Sequence, residues 1–266
     1  MSVKAFCMKT ADAQSYWDRH TTASNLPGDE ALTAESWPEE IAFYLTPEQD
    51  FAYREMAPLA SRRVVELGCG VGVNAIHLAE QRAWVAALDP SLPRLRVLKR
   101  VAEEKGLGAR VHPVCARAEH LPFRAGSLDL AYTKASLIHT DLPVALAECR
   151  RVLKPAGRGV FCEPTTSNPF AWLYRRLLGP SEWQTITRYF SHAEEKAVSE
   201  VFGNLRSESF YLTSFLAFYW QFGRRRLKRF KRWLAVLNTL DRALFALCPP
   251  LRRLAWFRVY VVEKRL

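Results

Sequence analysis

A short apolar strand followed at once by three alternate glycines is the feature that most constrains this 266-residue chain. The stretch VVELGCGVG, residues 64–72, carries Gly68, Gly70 and Gly72. Glycine adopts left-handed backbone conformations freely and lets another group approach the main chain closely. A helix that begins directly after such a turn points free N–H groups into the same space. The stretch therefore predicts a strand–turn–helix unit whose bend holds a ligand.

Around this turn, strand-like and helix-like patterns alternate from Arg62 to Pro164. Five short apolar strands are separated by segments whose apolar residues recur at helical spacing. Two further strands are predicted at 207–220 and 258–266. Strict alternation indicates a mostly parallel sheet covered by helices on both faces, because parallel strands need long crossovers. We therefore predict a doubly wound α/β fold with seven strands.

The chain divides into three regions around this sheet. Residues 1–60 are predicted to form an N-terminal helical lid, and residues 61–164 the ligand-binding core. Residues 165–266 complete the same domain, with a helical cap at 165–190 and a basic helical insertion at 223–256 before the last strand. The N-terminal residues lack an apolar segment of signal-peptide length, which favours a cytoplasmic protein. The six scattered cysteines form no CxxC pair and indicate neither a zinc site nor a disulfide framework.

Two carboxylates frame the glycine turn and narrow the choice of ligand. Glu66 lies at the end of the first strand, where it would repel a phosphate and suits an ammonium or sulfonium group. Asp89 ends the second strand, where a carboxylate in a doubly wound sheet faces ribose hydroxyls. A plain tight turn, a dinucleotide site and a phosphate loop are the alternatives. The glycine spacing departs from G-x-G-x-x-G, and the Lys-Ser/Thr pair of a phosphate loop is absent. A ribose, a positive centre and no phosphate together indicate S-adenosylmethionine.

Four segments between Val64 and Pro164 resemble, in order and spacing, the class I S-adenosylmethionine-dependent methyltransferases of the small-molecule, type 11-like family. These segments are VVELGCGVG, VAALDP, AEHLPF and LDLAYTKASLIHTDLPVALAECRRVLKPAGRGVFCEP. The resemblance implies a Rossmann-like fold and S-adenosylmethionine as the methyl donor. It also implies a cofactor site, whose residues in this chain are Glu66, Gly68, Cys69, Gly70, Gly72, Asp89, Pro90, Ala118, Glu119 and Lys134.

Two positions depart from the family pattern. The family usually has an aspartate just before its counterpart of AEHLPF, where it accepts a hydrogen bond from the adenine amino group. This chain has Arg117 there, and a guanidinium only donates, so the adenine contact must differ. The family also often has two adjacent histidines where this chain has only His139.

Polar side chains at the ends of the fourth and fifth strands are candidates for a general base. The resemblance places His139 after the fourth strand, and Glu163 ends the fifth. A base is needed only if the acceptor holds a proton at the working pH. The alternatives are a histidine bonded to a backbone carbonyl and a solvated strand-end acid. Tyr132 faces the same edge, and Tyr16 and His20 are candidates for the lid.

The cap is unusually aromatic for a polar pocket. Either its large side chains form the core of the cap itself, or they indicate a hydrophobic or lipid-like acceptor. The residues concerned are Phe170, Trp172, Leu173, Tyr174 and Trp183.

The net charge of +11 is concentrated in one part of the chain. From Arg224 to the C-terminus, thirteen Lys and Arg residues face two acids, whereas the first 223 residues balance to zero. The segment Arg224–Arg232 carries seven of these cations and opens an apolar stripe at helical spacing. No apolar stretch in this region reaches the roughly 20 residues needed to span a bilayer. A basic amphipathic helix of this kind indicates an anionic membrane surface. Packing on the sheet and binding to a partner protein are alternatives, and nucleic acid is disfavoured because the aromatics do not alternate with the charges.

These features predict a methyltransferase that acts on a small, hydrophobic or lipid-like acceptor, in the cytoplasm and peripherally at the inner membrane face. One alternative is a membrane-attached protein that binds the cofactor without catalysis, for which Arg117 is the warning sign. Another is a nucleic-acid methyltransferase, which is disfavoured because no Asn/Asp-Pro-Pro-Tyr/Phe motif occurs.

Overall fold

The computed structural model describes residues 13–19 and 37–265. The predicted lid residue His20 lies outside these ranges. Seven strands form one sheet in the order β3-β2-β1-β4-β5-β7-β6. The strands are β1 Arg63–Leu67, β2 Trp84–Asp89, β3 Val111–Cys115, β4 Leu128–Lys134, β5 Leu153–Pro164, β6 Arg206–Phe210 and β7 Phe257–Glu263.

Ten α-helices accompany the sheet in the described ranges. They are α1 (residues 13–18), α2 Trp37–Tyr44, α3 Pro47–Met56, α4 Val73–Glu80, α5 Leu92–Glu104, α6 Leu142–Val152, α7 Pro169–Leu177, α8 Trp183–Ile186, α9 His192–Phe202 and α10 Leu227–Leu247. Shorter helical turns lie at Leu137–His139, Ser214–Phe218, Tyr219–Gly223 and Pro249–Leu254.

The predicted doubly wound, mostly parallel sheet is confirmed. Strands β1 to β5 pair in parallel, and β7 runs antiparallel between β5 and β6. Strand β6 therefore points the same way as β5, and both end at the edge where parallel strands present ligands. Buried apolar clusters cover both faces of the sheet, as expected for strands that are hydrophobic throughout.

Two strand boundaries differ from the sequence prediction. Strand β6 ends at Phe210, because Tyr211 takes a left-handed conformation with φ of 67° and turns the chain away from the sheet. Strand β5 begins at Leu153, directly after α6, so the KPAG segment lies inside a strand. From the sequence alone, the proline and glycine of KPAG predict the end of the helix, with the fifth strand beginning after them at GRGVFCEP.

Part of the predicted lid belongs to the core. Ala52 and Met56 of α3 are buried in the same cluster as Val64 of β1. Helix α1 alone, among the described residues of 1–36, lies at the ligand edge of the sheet.

One buried carboxylate holds the basic insertion together. Asp241 of α10 is 1% exposed and accepts hydrogen bonds from the backbone amides of Leu212, Thr213 and Ser214. The hydroxyls of Thr213 and Ser214 donate to it as well, at 2.6 and 2.5 Å. This residue interrupts the apolar stripe in the sequence, yet it fastens α10 to the turn that follows β6.

The long excursion after β5 leaves and rejoins the sheet at one place. The backbone amide of Thr165 donates to the carbonyl oxygen of Trp256 at 2.7 Å. Its hydroxyl donates to the carbonyl oxygen of Ala255 at 2.6 Å. Everything from α7 to the turn at Pro249–Leu254 lies between these two hydrogen-bonded points.

We expect Asp241→Ala to destabilise the protein by about 3 kcal/mol, because it leaves several partly buried backbone amides without an acceptor. Urea unfolding followed by circular dichroism measures the loss. Asp141→Ala is the matched control, since Asp141 begins α6 without a side-chain capping bond and should cost about 0.5 kcal/mol. Equal losses in the two variants would contradict the anchoring role.

Candidate active site

The glycine turn after β1 is built as the sequence predicted. Gly68, Gly70 and Gly72 all have left-handed backbone angles, with φ of 66°, 57° and 89°. A Cβ on Gly68 would collide with the side chain of Ser136, and one on Gly72 with Leu98. Close packing and backbone angle therefore both demand glycine at these two positions.

Asp89 clamps this turn from the neighbouring strand. Its Oδ2 accepts a hydrogen bond from the backbone amide of Gly70 at 2.8 Å, and its Oδ1 accepts from the amide of Ser91 at 2.8 Å. The side chain is buried, with 4% exposed. A carboxylate offers about four lone-pair directions, so each oxygen can still accept a further bond.

Glu66 ends in a buried network that reaches the N-terminal helices. Its Oε1 accepts from Asn74 Nδ2 at 3.1 Å. Asn74 Oδ1 in turn accepts from Gln49 Nε2 at 2.5 Å and from the Tyr53 hydroxyl at 2.9 Å. Tyr132, considered above as a candidate base, donates its hydroxyl to Gln49 Oε1 at 2.7 Å and is fully buried. Tyr132 therefore stabilises the interior and does not face an acceptor.

The second oxygen of Glu66 has no partner within the part of the chain that the structure describes. Oε2 is buried and accepts no hydrogen bond there. Burial raises the pKa of Glu66 to about 8, with the nearby charge of Asp89 acting in the same direction. The carboxyl group therefore holds a proton at neutral pH until a positive group approaches it.

The remaining predicted cofactor residues lie around this turn with partners of their own. Cys69 is buried and donates its amide to the carbonyl of Leu88 at 2.9 Å. The carbonyl of Pro90 accepts from Gln14 of α1 at 3.0 Å. Lys134 forms an ion pair with the buried Glu48 at 3.1 Å.

Ala118 and Glu119 lie on the loop between β3 and β4. Ala118 is buried in an apolar cluster. Glu119 Oε1 accepts from the backbone amide of Asp141 at 2.9 Å, and its Oε2 lies 3.8 Å from Arg117 Nε. Arg117, which stands where the family pattern has an aspartate, thus lies beside the carboxylate of Glu119.

Glu163 is fully buried at the end of β5. Its Oε1 accepts from the Thr133 hydroxyl at 2.6 Å and from the amides of Ser136 and Leu137 at 3.3 and 3.1 Å. Its Oε2 has no hydrogen-bond partner among the described residues. Burial raises the pKa of Glu163 to about 7. The acid is not solvated, and one of its oxygens fixes the loop after β4.

His139 is half-buried and is held in one tautomer. Its Nδ1 lies 2.9 Å from the carbonyl oxygen of Ile186. Because a carbonyl only accepts, Nδ1 carries the proton, and Nε2 keeps its lone pair when the ring is neutral. Burial lowers the pKa of His139 to about 4, so the ring is neutral at ordinary pH.

Helix α1 brings aromatic side chains to the same edge. The Trp17 ring meets the His139 ring edge-on at 5.6 Å, and the Arg94 guanidinium lies 4.8 Å from the Trp17 ring centroid. Tyr16 accepts from Trp183 Nε1 at 3.1 Å. Arg94 also lies directly beside Gly70. Sequence reasoning missed Arg94, because an arginine in the first turn of an amphipathic helix gives no signal of its burial.

Comparison of the sequence with known protein families gives a match to the central part of the chain. The family described as a methyltransferase domain matches residues 65–161. The ubiquinone biosynthesis O-methyltransferase of Sodalis glossinidius is 28% identical over 178 residues, covering 62% of this chain and 71% of that protein. The demethylmenaquinone methyltransferase of Clavibacter sepedonicus is 38% identical over 115 residues, covering 42% of this chain and 45% of that protein. Six further curated relatives are matched over 39% to 66% of their length.

A solved structure resembles the whole chain. The geranyl diphosphate C-methyltransferase of Streptomyces coelicolor superposes with a TM-score of 0.59 at 18% identity, covering 97% of this chain and 98% of that one. At this identity the likeness defines the fold alone.

Residues 65–161 therefore belong to a class I S-adenosylmethionine-dependent methyltransferase domain, and the predicted family is confirmed for this part of the chain. This is the domain of an enzyme, and its methyl donor is S-adenosylmethionine.

We expect Asp89→Ala to abolish S-adenosylmethionine binding in isothermal titration calorimetry, because it removes both the clamp on Gly70 and the carboxylate predicted to accept from the ribose. Asp129→Ala is the control, since Asp129 lies at the opposite end of the sheet and pairs with Lys154. Wild-type affinity in the Asp89 variant would remove Asp89 from the site.

We expect cofactor binding at pH 7 to release about one proton, because a cationic group beside Glu66 lowers the raised pKa of its carboxyl. Titrations in buffers of different ionisation enthalpy measure this release. Glu66→Gln should remove it, whereas the surface variant Glu103→Gln should keep it. Binding without a buffer-dependent enthalpy would contradict the role of Glu66.

The raised pKa of Glu66 also affects folding. The contribution of this residue to the free energy of unfolding is lost as pH rises from about 4.5 to about 8.

Proposed function

We propose that this protein transfers a methyl group from S-adenosylmethionine to a small, hydrophobic or lipid-like acceptor. The observation that carries the proposal is the glycine turn clamped by Asp89, with an unpaired carboxylate oxygen of Glu66 beside it. A buried acceptor oxygen without a partner is costly and fits a ligand that brings a positive donor. The residues present therefore fit the cofactor.

In this proposal each part of the site has one task. Glu66 and the turn from Gly68 to Gly72 hold the positively charged methionine end, and Asp89 accepts from the ribose hydroxyls. Ala118 and Glu119 border the adenine, with Arg117 as the departure from the family pattern. When bound, the cofactor supplies an electrophilic methyl group on a sulfonium. The protein aligns an acceptor with it and excludes water.

Several observations support an apolar acceptor. The ubiquinone and demethylmenaquinone methyltransferases among the relatives are named for quinone pathways. At the ligand edge of this chain, Trp17 and Trp183 adjoin Tyr16, and His139 and Arg94 lie against the Trp17 ring. Aromatic walls with few polar groups suit a small ring or isoprenoid better than a polar metabolite.

Of the two candidate bases, the geometry favours His139. Its Nε2 is an acceptor at neutral pH, and the ring is oriented by Ile186 and Trp17. Glu163 Oε1 is occupied by three protein donors, which suits a positioning role for the loop that leads to His139. An acceptor hydroxyl would donate to Nε2 while the methyl group transfers, in the manner of general base catalysis.

We also propose that the enzyme attaches peripherally to an anionic membrane through the Arg224–Arg232 segment. Five of its cations are exposed: Arg224, Arg226, Lys228, Arg229 and Arg232. Each such charge adds about 1 kcal/mol near an anionic surface. No helix in the described part of the chain is both long enough and apolar enough to cross a membrane.

Incubation with isotopically labelled S-adenosylmethionine and a cell lipid extract, followed by mass spectrometry, tests the reaction. We expect label in an apolar product, and a loss of about 100-fold in turnover for His139→Ala with unchanged cofactor affinity. Glu103→Ala, on the surface of α5, is the control. Label in RNA or DNA, or no product while the cofactor binds, would overturn the proposal.

The pH dependence of turnover distinguishes the two candidate bases. If the wild-type rate falls below pH 7 and the rate of Glu163→Gln does not depend on pH, the base is Glu163 and not His139.

A further inference from the structure

The cap and the basic insertion expose most of the large apolar side chains of the molecule. Eleven of the sixteen exposed large apolar residues in the described ranges lie on or beside α7, in the turns after β6, or on α10. Single apolar residues on a surface are ordinary, but a concentration of them marks an interaction site. We call this set the α7–α10 surface; it consists of Phe170, Trp172, Leu173, Leu177, Leu178, Leu216, Tyr219, Trp233, Val236, Leu240 and Leu247.

Helix α7 turns an apolar stripe away from the protein. Phe170, Leu173 and Leu177 follow the i, i+3, i+7 spacing of one helix face, and all three are exposed. The opposite side contacts the protein through the buried Ala171 and through Arg175, whose Nη1 donates to the carbonyl oxygen of Thr165 at 2.9 Å. Tyr174, at the edge of the stripe, has its ring 6.2 Å from that of Phe215. The sequence left open whether these aromatics form the core of the cap or a substrate wall. The structure shows that Phe170, Trp172 and Leu173 are exposed, so they do not form a buried core of the cap.

Helix α10 carries two apolar faces. One face is buried, with Phe230 and Leu234 in an aromatic cluster beneath it. The other face exposes Trp233, Val236 and Leu240. A helix that only packs on its own domain needs one apolar face, so the second is unexplained by folding.

The two helices adjoin the same short turn. Phe215, in the turn Ser214–Phe218, meets Tyr174 of α7, and Phe218 in that turn meets Phe230 of α10 at 5.3 Å. Leu216 lies in the same turn and is exposed. The exposed stripes of the two helices are thus connected through this turn.

The charges beside these stripes are positive. Arg176 lies 5.6 Å from the ring centroid of Trp172, and Lys228, Arg229 and Arg232 are exposed on α10. The only acid between residues 211 and 256 is Asp241, which is buried. Apolar stripes bordered by these cations complement an anionic lipid surface, into which Trp and Leu side chains insert while Arg stems extend to the headgroups.

The surface also borders the active site. Helix α7 follows the carboxyl end of β5, which carries Glu163, and the turn at Ser214–Phe218 follows the parallel carboxyl end of β6. Asp89 ends β2 at the same edge of the sheet. A bilayer contacting this surface would lie beside the entrance for an acceptor.

We propose that the α7–α10 surface is the membrane-binding face of the enzyme, and that α7 inserts into an anionic bilayer together with α10. This proposal rests on the proposed function in taking the acceptor to be apolar. It extends the contact from the basic segment to a helix more than 45 residues earlier in the chain. Vesicle binding is measured without turnover, so it can fail while methyl transfer and cofactor binding succeed.

Flotation of the full chain with vesicles of phosphatidylcholine, with and without about 30 mol% phosphatidylglycerol, tests the proposal. We expect the wild-type protein to bind the anionic vesicles. Leu177→Glu should reduce this binding about tenfold, although it leaves every charge of the Arg224–Arg232 segment unchanged. Val144→Glu, at an exposed apolar position on α6, is the matched control and should bind as wild type does. Binding of Leu177→Glu equal to wild type, or binding to RNA but not to vesicles, would overturn the proposal.

Fluorescence quenching gives a second readout that does not depend on a charged variant. Lipids brominated in the acyl chain should quench the emission of Trp172 and Trp233, and Trp172→Phe and Trp233→Phe should each reduce the quenched fraction. Trp84→Phe is the control, because Trp84 is exposed at the start of β2, outside the α7–α10 surface. Quenching unchanged by Trp172→Phe would show that α7 stays out of the bilayer. Calorimetric titration with S-adenosylmethionine on the same samples tests the cofactor site separately.

Discussion

The architecture of the site depends on one buried carboxylate that joins two neighbouring strand ends. Asp89 accepts from Gly70 in the turn after β1 and from Ser91 at the start of α5. A glycine turn is entropically expensive to order, and this clamp fixes it with charge-assisted hydrogen bonds. The same carboxylate keeps lone pairs for a ligand. In the proposed function, one side chain therefore serves both the fold of the turn and the recognition of the cofactor.

The cofactor half could be predicted from the sequence because its signals are local. A strand, three alternate glycines and a helix follow one another within VVELGCGVG and the next turn, and Asp89 simply ends the next strand. The buried network around Glu66 could not be predicted. It joins Gln49, Asn74 and Tyr132, whose positions are separated by 25 and 83 residues along the chain, and polar residues in helices give no sign of such distant partners.

Periodicity also failed where a helix has more than one apolar face. The spacing in α10 showed that apolar residues recur, but it could not say which of them pack inward. The structure separates Phe230 and Leu234, which are buried, from Trp233 and Leu240, which are exposed. Asp241 looked like an interruption and is the anchor of the segment, because its burial is decided by amides on a different turn.

The excursion between Thr165 and Ala255 has a consequence for how such an enzyme diversifies. Its two ends, 90 residues apart in the sequence, are hydrogen-bonded to each other, so the chain between them leaves and rejoins the sheet at a single place. Length and composition between these two ends can change while β1 to β5 keep their register, provided that β6 still pairs with β7. The same cofactor-binding core can therefore carry different acceptor-binding segments, each inserted between the end of β5 and the start of β7.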